Sequence, residues 1–178
     1  MHYQIRADRV ELVFANIGKA GAVFHVYDKH RLAQRPRRYT VEAGKELRGH
    51  WAANDEGAYD LWVLGPNGFH RHFCGSTKGA VAEPAMRAAY GAGTIAIALA
   101  NPGTAPLACT VTENTYAQVA WNTTVLPGAT AVRVFQLPDS GNWYDLSLRV
   151  AALPNYQRRL AGRVETGVDD ISDPAMGS

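Results

Sequence analysis

Short runs in which apolar and polar side chains alternate fill this chain. Val10-Glu11-Leu12-Val13-Phe14-Ala15 is one, and Ile95-Ala96-Ile97-Ala98-Leu99-Ala100 is another. A period of two places neighbouring side chains on opposite faces, which marks a half-buried β-strand. Such runs fall near residues 3–6, 9–15, 22–28, 38–41, 46–52, 58–64 and 69–74. They fall again near 86–90, 94–100, 107–113, 117–125, 130–137, 143–150 and 155–162. Asn16-Ile17-Gly18, Gly65-Pro66-Asn67-Gly68, Asn101-Pro102-Gly103 and Leu153-Pro154-Asn155 supply turn residues between them. No segment as long as about 11 residues keeps a period of 3.6, so long helices are not expected.

The two series are copies of one another. Val10–Ala20 lies over Ile95–Ala105 at an offset of 85, and both end in Ala-Asn-x-Gly-x-Ala. Thr40–Gly44 lies over Thr124–Gly128 at 84, Ala58–Val63 over Trp143–Leu148 at 85, and Phe69–Gly75 over Tyr156–Gly162 at 87. Four blocks in the same order and nearly in phase mark a duplication. Seven short strands in a unit of about 85 residues predict a sandwich. The expected fold is all-β: two tandem immunoglobulin-like (fibronectin III-like) β-sandwich units. The first repeat covers 1–80 and the second 81–165, with a C-terminal tail at 166–178. Asn16, Gly18, Tyr59 and Asp60 recur as Asn101, Gly103, Tyr144 and Asp145. Recurrence in both copies gives these positions a structural reading. A tyrosine corner, with the hydroxyl bonded to nearby backbone, is expected at Tyr59 and Tyr144.

Composition narrows the function. With 47% hydrophobic and 19% charged residues, the chain can bury a core and is not disordered. No apolar run approaches the roughly 20 positions of a membrane-spanning helix. Residues 1–80 carry 12 Lys/Arg against 8 Asp/Glu, a net of +4, and residues 81–178 carry 6 against 8, a net of −2. Neither half is basic enough for nucleic acid, so no such partner is expected.

Candidate chemistry is sparse. Ser76, Ser140, Ser147 and Ser172 lack the Gly-x-Ser-x-Gly context of a nucleophile elbow. His70 and His72 share one strand face, which suits zinc, yet their counterparts are Gln157 and Arg159. With no acidic or cysteine ligand obvious beside them, a solvated face is the expectation. Cys74 corresponds to Ala161 and Cys109 to Phe24, which points to packing positions. Asp169, Asp170 and Asp173 read as a solvated tail, although such a cluster also suits calcium. No cofactor, metal or catalytic residue is expected. Trp51, Trp62 and Trp143 have the size to stack on sugars, but core packing is the expectation for Trp62.

One feature is not shared. Lys29, Arg31, Arg35, Arg37 and Arg38 put five basic residues into residues 29–38, and the matching stretch 114–123 has none. The fold does not need these charges. They suit an anionic lipid surface, at about 1 kcal/mol per charge, or an acidic face of a neighbouring domain.

The runs at 15–28, 37–44, 59–69 and 162–167 resemble the duplicated C-terminal region of bacterial phosphocholine-specific phospholipases C, haemolytic and non-haemolytic. The resemblance spans nearly the whole chain. It implies a secreted parent that hydrolyses phosphatidylcholine or sphingomyelin to phosphocholine. Its phosphatase-like catalytic domain would lie N-terminal to this region, so no catalytic residue carries over. Export is expected to use a twin-arginine signal that passes folded protein, and Met1–Arg6 has no apolar stretch of a signal peptide. The expected role is a non-catalytic accessory region that positions or stabilises its own catalytic domain or meets a membrane phospholipid surface. A carbohydrate-binding module or a plain scaffold is the alternative.

Overall fold

The computed structural model describes residues 2–5, 9–79, 81–167 and 171–177, with the backbone alone for 2–5 and 177. The chain divides into two units, Met1–Ala80 and Val81–Ser178. In the first, the strands are β1 (His2–Ile5), β2 (Arg9–Ala15), β3 (Ala22–Asp28), β4 (Arg37–Val41), β5 (Glu46–Ala52), β6 (Ala58–Leu64) and β7 (His70–Ser76). In the second they are β8 (Ala85–Gly91), β9 (Thr94–Ala100), β10 (Leu107–Glu113), β11 (Trp121–Val125), β12 (Thr130–Gln136), β13 (Trp143–Val150) and β14 (Leu153–Arg163). Helix among the described residues amounts to three short 3₁₀ turns.

The two units share one topology. Strands β1-β2-β5 form one antiparallel sheet of the first unit and β4-β3-β6-β7 the other. In the second, β8-β9-β12 faces β11-β10-β13-β14. Successive strands cross between sheets in the order of an immunoglobulin-like Greek key. Alternation decides what lies between the sheets. Val10, Leu12 and Phe14 of β2 point inward onto Phe24, Val26, Trp51, Leu61 and Val63. Ile95, Ile97 and Leu99 of β9 meet Val111, Phe135, Leu146 and Leu148. Each such side chain contributes about 1.5–3 kcal/mol by leaving water.

The Ala-Asn-x-Gly-x-Ala signature is a clamp between the sheets. Asn16 Nδ2 donates to the carbonyls of Ala20 (2.8 Å) and Val41 (2.9 Å), and its Oδ1 accepts from Gly18 N at 2.9 Å. Asn101 does the same with Ala105 (2.8 Å), Val125 (2.9 Å) and Gly103 N (2.9 Å). The backbone carbonyls of Asn16 and Asn101 accept from Gly44 N (2.8 Å) and Gly128 N (2.9 Å). Gly44 and Gly128 take φ of 69° and 70°, a left-handed turn conformation that glycine adopts without a Cβ clash.

Three boundary expectations change. The run at 117–125 starts as strand only at Trp121, because Ala117 has a φ of 56° and residues 114–120 form a loop. Leu153-Pro154-Asn155 is not a turn but the start of β14; the turn is at Ala151-Ala152. Pro154 falls in the irregular stretch where the β13–β14 register shifts. The tail is not simply solvated either. Asp173 Oδ1 accepts from the Tyr116 hydroxyl at 2.8 Å, and Trp143 Nε1 donates to the Ile171 carbonyl at 3.3 Å. Asp169 and Asp170 lie outside the described residues.

Candidate functional site

The structure sorts the expected site residues into those that hold the fold and those that face out. Tyr59 and Tyr144 are core residues, as the repeat implies. The Tyr144 hydroxyl donates to the Tyr90 hydroxyl at 3.3 Å, on a strand of the opposite sheet. Cys109 packs in the second core, where burial pushes its thiol pKa up. Cys74 is half-buried on an outer face, and both cysteines remain thiols.

Much of the basic segment is committed inside its own unit. Lys29, His30 and Arg31 form a 3₁₀ turn capped by Asp28, whose Oδ1 accepts from His30 N at 3.0 Å. Arg31 stands 3.6 Å from Asp28. Arg37 points inward at the open side of the sandwich, where its guanidinium lies 5.2 Å from the Trp51 ring and donates to the His50 carbonyl at 2.6 Å. Arg31, Arg35, Arg37 and Arg38 are all exposed, and among the described residues no side-chain hydrogen bond or ion pair engages Arg35 or Arg38.

Lys29 leads to the cluster that sequence reasoning missed. On the outer face of β6 and β7, Asp60 lies opposite Cys74 and Trp62 opposite His72. His72 Nε2 meets Asp60 Oδ1 at 2.6 Å, and Lys29 Nζ stands 3.6 Å from Asp60 Oδ2. Trp62 is 37% exposed, not a core residue. It faces out because Tyr59, Leu61 and Val63 take the inward positions of β6. Lys29 sits 4.5 Å from its ring centroid, and the rings of His70 and His72 stand perpendicular to it with centroids 6.0 and 5.9 Å away. The expectation of no acidic or cysteine group beside these histidines is therefore corrected. The missing signal was register. A hairpin centred on Gly65–Gly68 brings residues whose numbers sum to 134 opposite one another, which pairs Asp60 with Cys74.

The same place in the second unit is built differently. Asp145 Oδ1 and Oδ2 accept from Arg159 Nε (2.6 Å) and Nη2 (2.5 Å), Asn114 Nδ2 donates to Oδ1 at 2.9 Å, and Thr115 Oγ1 donates to Oδ2 at 3.1 Å. Burial raises the pKa of this carboxyl, but the hydrogen bonds from Arg159 and Asn114 outweigh it and hold it below the ordinary value. For Asp60, burial is likewise outweighed by the hydrogen bond and charge of His72 and the charge of Lys29. Nearby, burial raises the pKa of Glu113 despite its hydrogen bonds from the Tyr116 and Thr115 amides.

The three-stranded sheets also differ on their outer faces. In the first unit, β2 and β5 carry a charged lattice: Arg48 contacts Glu11 at 3.1 Å and Glu46 at 2.7 Å, and His50 contacts Glu11 at 2.7 Å. In the second, β9 turns Ala96 and Ala98 outward, and β12 exposes Val132 (61%) and Val134 (50%). Ala89 continues this face on β8, and Arg87 is the one charge among its described outward positions.

Comparison with known proteins places this pair of sandwiches. The chain is 40% identical over 98% of its length to a non-hemolytic phospholipase C of Pseudomonas aeruginosa. It is 42% identical over 96% to a non-hemolytic phospholipase C of Burkholderia pseudomallei, and 37% identical over 89% to a hemolytic phospholipase C of Pseudomonas aeruginosa. It spans about a quarter of those proteins, 26%, 25% and 24%. Among solved structures, it is similar to a chicken interferon gamma receptor alpha chain at 12% identity and a TM-score of 0.36, covering 91% of this chain and 95% of that one. The sequence profile described as bacterial phospholipase C, C-terminal domain, matches residues 1–76 and 80–163, and the chain belongs to that family.

Proposed function

We propose that this chain is the non-catalytic accessory region of a secreted phospholipase C, and that it docks on the catalytic part of that protein. The observation that carries the reading is the apolar face of β8-β9-β12. Two exposed valines beside half-buried alanines, rimmed by Thr94, Thr130, Gln136 and Arg87, are costly to leave in water, and such a face suits a contact surface. The length of the relatives supports this occupant, since they extend about three quarters beyond the part matched here. The charged lattice on the matching sheet of the first unit supports the assignment, because that face is already suited to solvent. The parent's reaction would be hydrolysis of phosphatidylcholine or sphingomyelin to phosphocholine, performed by the catalytic part.

Mixing this chain with the separately made remainder of its own phospholipase, with binding read by calorimetry, tests the reading. Val132→Lys with Val134→Lys should weaken binding by at least about tenfold, since each buried valine contributes about 1.5 kcal/mol or more. Unchanged affinity would reject this face.

Arg35 and Arg38, exposed beside three committed basic neighbours, favour a second reading in which the segment meets anionic lipid. Charge reversal of both should then release the chain from anionic vesicles. A sugar-stacking role for Trp62 is disfavoured, because Lys29 covers its ring.

A further inference from the structure

The outer face of the β6–β7 hairpin carries more than a solvated ion pair. Asp60 and Cys74 are a cross-strand pair, and His72 lies two residues before Cys74 on the same strand. The backbone alone therefore puts a carboxylate, an imidazole and a thiol on one face. One ligating atom from each lies within 4.8 Å of the other two, and no other such triad occurs among the described residues. Ligands around a tetrahedral ion at bond lengths of about 2.0–2.3 Å stand roughly 3.5 Å apart, so small side-chain rotations bring these three to one centre.

We infer that Asp60, His72 and Cys74 form a binding site for a zinc-like dication, with water in the fourth position. The donor set selects the metal. Calcium and magnesium take oxygen ligands, whereas a mixed sulfur, nitrogen and oxygen set suits zinc. The second unit supplies the electrostatic reason. There the matching carboxylate, Asp145, is neutralised by the Arg159 guanidinium, and Ala161 stands where Cys74 does. That unit carries its own cation. The first unit replaces the guanidinium with an imidazole and adds a thiol; Lys29 at 3.6 Å offsets the carboxylate, and a dication offsets the thiolate that forms on binding. On binding, His72 Nε2 exchanges its hydrogen bond to Asp60 for the metal, and the Cys74 thiol proton leaves to solvent.

The surroundings fit. Lys29 stands by Asp60 Oδ2, leaving Oδ1 towards His72 for the ion. The Trp62 ring packs perpendicular to the His72 imidazole, with centroids 5.9 Å apart.

Cobalt(II), which reports thiolate ligation by its absorption, is the direct probe. Titrating it into the whole chain should produce one equivalent of thiolate-to-cobalt charge-transfer absorption, and zinc should displace it. Cys74→Ala should abolish the band, and Cys109→Ala should leave it intact. His72→Arg installs the side chain of the second unit; it should keep the circular dichroism and unfolding midpoint while weakening zinc binding by at least about tenfold. Absence of the band in the parent chain overturns the site, as does equal zinc affinity in the parent and Cys74→Ala proteins.

Discussion

At one position of the fold the two units hold the same aspartate in different company. Asp145 sits in a closed network: two nitrogens of Arg159, the amide of Asn114 and the hydroxyl of Thr115 engage its two oxygens. Asp60 has one short contact to His72, a longer one to Lys29, and a thiol alongside. The clamps at Asn16 and Asn101, by contrast, agree in every partner to within about a tenth of an ångström. The two units agree in the parts that close the sandwich and differ on the outer face of the sheet. The second unit's aspartate is held as scaffold, and the first unit's stands beside an imidazole and a thiol.

The shared part should give the largest effects. Asn16→Ala and Asn101→Ala each remove three hydrogen bonds and strand buried carbonyls, at about 2–4 kcal/mol. Chemical denaturation should show similar losses for both. A clearly smaller loss for one would mean that the clamps no longer do the same job.

The divergent part should give unequal effects. Arg159→Ala leaves Asp145 with neutral donors and should lower stability by about 2 kcal/mol, a figure kept modest because the guanidinium is 36% exposed. His72→Ala should lower it by about 1 kcal/mol, since Lys29 still faces Asp60. The reverse ranking in urea unfolding would contradict the view of the second site as the scaffold.

The smallest effect is in acid. Asp145 has a folded pKa below its ordinary value, so its stabilisation is complete above that ordinary value, about 3.9. It is lost as pH falls through the depressed folded value. Stability measured from pH 5 downward should therefore decline, and Asp145→Asn should flatten the decline. An unchanged slope in Asp145→Asn would show that the network does not depress the carboxyl.

Legibility followed the range of the interaction involved. Strands β2, β3, β5, β6, β9, β10 and β13 lie where alternation puts them, because period two is a local property. The loop before Trp121 and the start of β14 were misjudged, because a left-handed Ala117 and a register shift depend on distant pairing. Recurrence at Asn16 and Asn101 revealed their structural role but not the carbonyls they reach 25 and 24 residues away. Trp62 was misplaced for a different reason. A large aromatic in a strand favours the core, and only the inward set of Tyr59, Leu61 and Val63 decides its face.

The amino-acid sequence by itself determined the all-β architecture, the turn glycines and the family, since each is written in local pattern or in recurring blocks. The tertiary structure decided which charges of the basic segment are committed, which sheet face is left apolar, and that Asp60, His72 and Cys74 meet. Those outcomes depend on strand register and on packing between residues far apart in the chain, which alternation cannot encode. A one-residue slip of β7 against β6 would have turned the same histidine and cysteine into the core.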